Sequence, residues 1–182
     1  MAQLDSDGAD IGERWTRWLT QRNLRGLRIC LFITATGYPA FGVLDWFVAP
    51  PRALPWLWAI RTLVAVAAIA MLPLVRQPRF APWVEPASVA VVWVDAAVIS
   101  VMTVYMGGLA SPYYAGLAIC LIAAGLLLVW RPRVVIAGNA SIVVTFAAIN
   151  ALSGEIGPLS TAVSNLAFLS TIAIIAGIGQ VV

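Results

Sequence analysis

Six apolar runs, each about as long as a bilayer crossing, take up most of this chain and leave little else to build with. They cover Leu27–Val48, Leu54–Val75, Ala87–Met106, Pro112–Trp130, Val134–Leu152 and Leu159–Val182. A helix needs about 20 mostly apolar residues to cross the hydrocarbon core. The separators carry breakers: Pro50-Pro51, Pro78 with Pro82, Gly107-Gly108, Arg131-Pro132-Arg133, and Gly154 with Gly157. Connections this short make consecutive helices antiparallel neighbours in a bundle. Composition agrees: 62% of the 182 residues are hydrophobic, 10% are charged, and mean hydropathy is +0.93. A soluble domain has about 25% charged residues to cover its surface. The fold class predicted is all-α: a polytopic membrane protein with a six-helix transmembrane bundle over 27–182, preceded by a cytoplasmic segment over 1–26.

The basic residues are all arginine, and the protein has no histidine. Arg14, Arg17, Arg22, Arg25 and Arg28 precede the first span; Arg76 and Arg79 follow the second; Arg131 and Arg133 follow the fourth. The other side of the bundle has only Arg52, and Arg61 lies within a span. The positive-inside rule therefore places both termini in the cytoplasm. In "IGERWTRWLTQRNLRGLR", Ile11, Trp15, Trp18 and Leu19 recur at helical spacing, which predicts a helix lying on the membrane surface; a loosely ordered basic tail is the alternative.

Several chemistries are excluded. Without histidine there is no histidine-based triad, phospho-accepting histidine or histidine-ligated metal. Without lysine there is no phosphate-binding Gly-Lys loop. No catalytic residue, metal site or cofactor is predicted, the segment itself is not read as an enzyme, and no nucleic-acid signature is present. Cys30 and Cys120 lie inside apolar runs and read as small buried residues.

The polar groups inside the spans are the informative ones. Asp45, Arg61 and Asp95 are ionisable, and charges at membrane depth face a partner or a wet cavity. Arg61 is predicted to be buried and paired with either Asp45 or Asp95. The pair fixes helix register, or it forms the floor of an outward-facing pocket. Pro39, between Gly37 and Gly42, is predicted to kink the first span. Asn139, Asn150, Ser164 and Asn165 are predicted to bridge helices, and Ala173 with Gly177 offers a small-residue face for helix packing. "YMGGLASPYYAG" reads as the outer hairpin, with Ser111 capping the next helix and Pro112 in its first turn. Tyr105, Tyr113 and Tyr114 either belong to an aromatic belt or close the pocket, with Trp46 and Trp58 contributing from the first hairpin. The candidate ligand-binding residues are thus Tyr38, Asp45, Trp46, Trp58, Arg61, Asp95, Tyr105, Ser111, Tyr113 and Tyr114. The expected ligand is small and mostly apolar, with one or two oxygen acceptors.

These residues carry a family resemblance. "GYPAFGVLDWFVAPPRALPWLWAIRTL" resembles the first hairpin of the six-helix sensor domain in α-hydroxyketone quorum-sensing receptor histidine kinases, through Gly37, Tyr38, Pro39, Ala40, the aromatic at 41, Asp45-Trp46 and Arg61. "GGLASPYYAGL" is similar to a segment in other bacterial hybrid histidine kinases, and comparable modules precede some class III adenylyl cyclases. The resemblance implies an input module in the bacterial inner membrane. It would sense a small, membrane-permeant signal, form a homodimer, and regulate a cytoplasmic enzyme that follows Val182: a histidine kinase, or alternatively an adenylyl cyclase. A small transporter or channel, using Arg61 and the aspartates along a substrate route, is the reading from a different class.

Overall fold

The computed structural model describes the backbone of residues 2–181 and the side chains of residues 12–180. Among these residues it is all-helical: α1 (Ala2–Val48), α2 (Leu54–Val75), α3 (Val84–Val104), α4 (Tyr114–Leu127), α5 (Pro132–Ser153) and α6 (Leu159–Val181), with no strand. Each of the six apolar runs has become a helix. Five are long and apolar enough to cross a membrane. Large apolar side chains face outward all along them, Leu63, Leu126, Ile136 and Ile174 among them. A helix that is apolar all round needs an apolar solvent, and the chain is a multi-pass membrane protein.

Two elements differ from the sequence expectation. The helix expected in 1–26 is present, but it runs without a break into the first span, so α1 is one rod of 47 residues. Its basic half contains single glycines, Gly8, Gly12 and Gly26, and no proline; a lone glycine weakens a helix by about 1 kcal/mol without ending it. Trp15 and Trp18 stack at 5.0 Å and Arg22 lies over Trp18. Leu19 is half-buried, and the side chain of Ile11 lies outside the described residues. Pro39 sits within α1, whose helix continues on both sides of it.

The second difference is α4, which has 14 residues rather than the 19 of its apolar run. At 1.5 Å per residue it spans about 21 Å. Residues 128–131 are not helical, and the backbone at Leu128 is extended (φ −117°, ψ 148°). Non-helical backbone at membrane depth persists only where protein satisfies its polar groups. Asn23 of α1 does this, donating from Nδ2 to the Val129 carbonyl (2.8 Å) and accepting the Val129 N–H on Oδ1 (2.7 Å). The Trp130 indole donates to Ser88, and the Arg131 N–H to Glu85. Gly26 is required at this contact: a Cβ there would lie 2.0 Å from the Leu127 carbonyl oxygen.

The core runs down the bundle axis through Leu27, Leu31, Leu117, Leu121, Ile142, Phe146 and Leu169, all essentially buried. Helix α1 packs on α2, α3 on α5, and α4 on α6. Three of the four polar residues expected to bridge helices do so. Asn139 donates to the Ala173 carbonyl across α5–α6, Thr103 to Asn150 across α3–α5, and Asn165 to the Leu109 carbonyl. Ser164 is exposed and makes no such bridge. At Gly177 a Cβ would lie 3.4 Å from Val135, so α5 and α6 approach closely there, beside buried Ala173.

The double glycine at 107–108 has a tertiary role. Both residues adopt positive φ (103° and 66°), where glycine alone is unstrained. A Cβ on Gly108 would collide with the Glu155 carbonyl at 1.6 Å, and the Leu109 N–H donates to that carbonyl (3.2 Å). The α3–α4 connection is therefore locked against the α5–α6 connection.

Candidate ligand cavity and its charged wall

On α1, residues 30, 34, 37, 38, 41 and 48 fall on one face at helical spacing. Facing them are Gly116, Ile119 and Ala123 of α4, with Val92, Asp95 and Ile99 of α3 at the back. They enclose a cavity of about 360 Å³, at the small end of the range of ligand sites. Its length along α1, from Cys30 to Val48, is about 27 Å at 1.5 Å per residue. Small residues hold it open: a Cβ built on Gly37 meets no atom within 4 Å, and one on Gly116 would only reach Ile99 at 3.4 Å.

The mouth faces sideways. Phe41, Leu44 and Val48 of α1 and Ile119 of α4 line it and are each about half exposed on the apolar flank of the bundle (48%, 52%, 58% and 49%). The cavity therefore opens between α1 and α4 toward lipid, not outward under a tyrosine lid as the sequence suggested.

The charges form one wall. Arg61 of α2 grips Asp45 of α1 bidentately, Nε to Oδ2 at 2.7 Å and Nη2 to Oδ1 at 2.9 Å, and its Nη1 donates to the Tyr38 carbonyl (3.3 Å). Asp45 is fully buried and Arg61 5% exposed. The Tyr113 hydroxyl donates to Asp45, and the guanidinium lies over the Tyr113 ring, 5.9 Å from its centroid. A fork-to-fork guanidinium–carboxylate pair has the geometry that offsets desolvation best. Of the two partners the sequence left open, Arg61 takes Asp45.

Asp95 has no cation paired with it among the described residues. The Thr34 hydroxyl donates to its Oδ2 (2.7 Å), and the Tyr38 hydroxyl donates to its backbone carbonyl (3.0 Å). Its other carboxylate oxygen receives no hydrogen bond from a described residue, while Asp95 is 8% exposed and borders the cavity.

Of the ten candidate residues, Tyr38, Arg61, Asp95 and Tyr113 line the cavity and Asp45 stands behind it. The others lie elsewhere. Trp46 is 67% exposed and faces away, and Tyr105 is 45% exposed near the membrane boundary, as belt residues would be. Trp58 packs over Gly42, 3.3 Å from where a Cβ there would sit. Ser111 is buried and accepts the Tyr113 N–H (3.2 Å) in the turn ahead of α4, but the cap position is Tyr113, without a side-chain cap bond, so Ser111 is not the helix cap the sequence suggested. Tyr114 turns toward α6, edge-on to Phe168.

Sequence reasoning missed Thr34 and the open face of Gly37. Both sit on the Tyr38 face of α1, and the i, i+4 spacing of Thr34 and Tyr38 was the available signal. Cys30 and Cys120 are free and both border the cavity. Compared with known proteins, the chain matches no family model, no curated sequence and no solved structure.

Proposed function

We propose that this chain is a membrane-embedded sensory module that takes a small lipophilic molecule from the bilayer and regulates a cytoplasmic signalling enzyme, a sensor histidine kinase. The observation that carries this reading is the lateral cavity: apolar walls, a lipid-side mouth, and an incompletely paired carboxylate at its back. Apolar walls provide burial, and a few polar groups fix orientation. A ligand changes output only through unequal affinity for two helix arrangements. Here it would alter the spacing of α1 and α4, and Asn23 couples the far end of α4 to the basic half of α1. The arginine distribution supports an orientation with both termini in the cytoplasm of a bacterial inner membrane. The homodimer follows from the resemblance to receptor kinases and belongs to the same proposal.

The test is a substitution that fills the cavity without disturbing the packing around it. Gly37→Leu meets that need, because nothing stands within 4 Å of its Cβ. The full chain, in nanodiscs of neutral lipid, is irradiated with decyl alcohols, ketones and amines that carry a tail diazirine. Wild type should be labelled on the facing sides of α1 and α4, and the labelling should vanish in Gly37→Leu. Labelling that is absent from this groove, or that persists in the variant, overturns the reading.

A further inference from the structure

The donors and acceptors around the cavity are unbalanced, and the imbalance identifies the ligand's polar end. Each of the three hydroxyl groups bordering it has already given its hydrogen away: Thr34 to the Asp95 carboxylate, Tyr38 to the Asp95 backbone carbonyl, and Tyr113 to Asp45. Arg61 commits three of its five N–H groups, Nε and Nη2 to Asp45 and Nη1 to the Tyr38 carbonyl, and its charge is matched by Asp45. The second carboxylate oxygen of Asp95 is left without a donor among the described residues. The charges are unbalanced too. Arg61 and Asp45 cancel, and no other cation lines the cavity among the described residues, so ionised Asp95 leaves the site one negative charge in excess.

A hydroxyl or carbonyl ligand would leave that charge uncompensated in the bilayer, which is the costly arrangement. A protonated amine supplies the missing donor and the missing charge together, and charge-assisted hydrogen bonds are about twice as strong as neutral ones. We propose that the cavity binds a cationic amphiphile: an ammonium head against Asp95, and an unbranched apolar tail running between α1 and α4 toward the lipid mouth. The volume of about 360 Å³ holds about a dozen non-hydrogen atoms at the 30 Å³ that one liquid water occupies. This assignment rests on the cavity being a ligand site, and it replaces the acceptor-bearing ligand expected from the sequence.

The test compares decylamine with decanol as competitors of the same photolabelling, using the full chain in neutral-lipid nanodiscs so that anionic headgroups do not concentrate the amine. Decylamine should displace the label at a concentration about tenfold or more below decanol, the factor a hydrogen bond to a charged group is worth. Asp95→Asn should erase that advantage, and Thr34→Val, which keeps the carboxylate, should retain it. Equal potency of the two probes on wild type overturns the cationic head, as does an amine advantage that survives Asp95→Asn, while groove labelling leaves the sensor reading standing. Absence of labelling overturns both. If Asp95→Asn does not fold, the wild-type comparison decides alone.

Discussion

The two sides of the bundle stabilise their buried polar groups by different means. Around α5 and α6 the bridges are neutral and local: an asparagine amide reaches a backbone carbonyl or a threonine hydroxyl on the next helix. Around α1, α2 and α4 they are ionic and shared, with one guanidinium serving a carboxylate and a carbonyl while a tyrosine hydroxyl joins the same carboxylate. The difference teaches where each chemistry is affordable. A neutral hydrogen bond between membrane helices is worth only about 0.6 kcal/mol on average, so it suits a scaffold. A charge left unpaired loses much, so an ion within the bilayer is either locked, like Asp45, or poised for a partner, like Asp95. Helix α1 takes part in both: its Asp45 pairs with Arg61 of α2, and its Thr34 donates to Asp95 of α3.

The largest effect should come from breaking the ionic side. Arg61→Ala leaves Asp45 buried with only Tyr113 as donor, and loss of one partner of a buried pair costs about 3–5 kcal/mol. Reversible unfolding in mixed detergent should show that loss, and the double change Arg61→Met with Asp45→Leu should recover most of it, since an apolar pair of similar volume is often neutral or better. A double variant as unstable as Arg61→Ala would mean that the ions contribute more than mutual neutralisation.

An intermediate effect is expected where the two sides meet the non-helical segment after α4. Asn23→Ala orphans both the N–H and the carbonyl of Val129, and an unsatisfied buried group costs about 1–3 kcal/mol. Hydrogen exchange at the Val129 amide should accelerate well before α5 or α6 loses protection. Unchanged exchange there would show that the non-helical segment is held by its other contacts.

The smallest effect belongs to the neutral side. Asn150→Leu removes the Thr103 bridge, and interhelical hydrogen bonds in membranes average about 0.6 kcal/mol, reaching about 1.7. The same unfolding assay should rank it below both other variants. A loss equal to that of Arg61→Ala would erase the contrast between the two sides.

Helix positions were legible because their causes are local: apolar runs of bilayer length, and Pro or Gly at φ-restricted or positive-φ sites. Burial of Arg61 was legible too, since a charge at that depth needs a partner. Its choice of Asp45 over Asp95 was not, because rise per residue places a side chain along the membrane normal but says nothing of its angle around the helix axis. That angle depends on how α1 packs on α2 at one face and on α3 at another. The early end of α4 escaped notice for a similar reason: residues 128–130 are as apolar as the helix before them, and only Asn23 and Gly26, about a hundred residues away in the chain, allow a non-helical backbone there. By itself the sequence determined a helical membrane bundle, its spans and the charges within them. Tertiary structure alone decided which charges cancel, which carboxylate is left facing a cavity, and that the cavity opens to lipid, because these depend on contacts between helices distant in the chain.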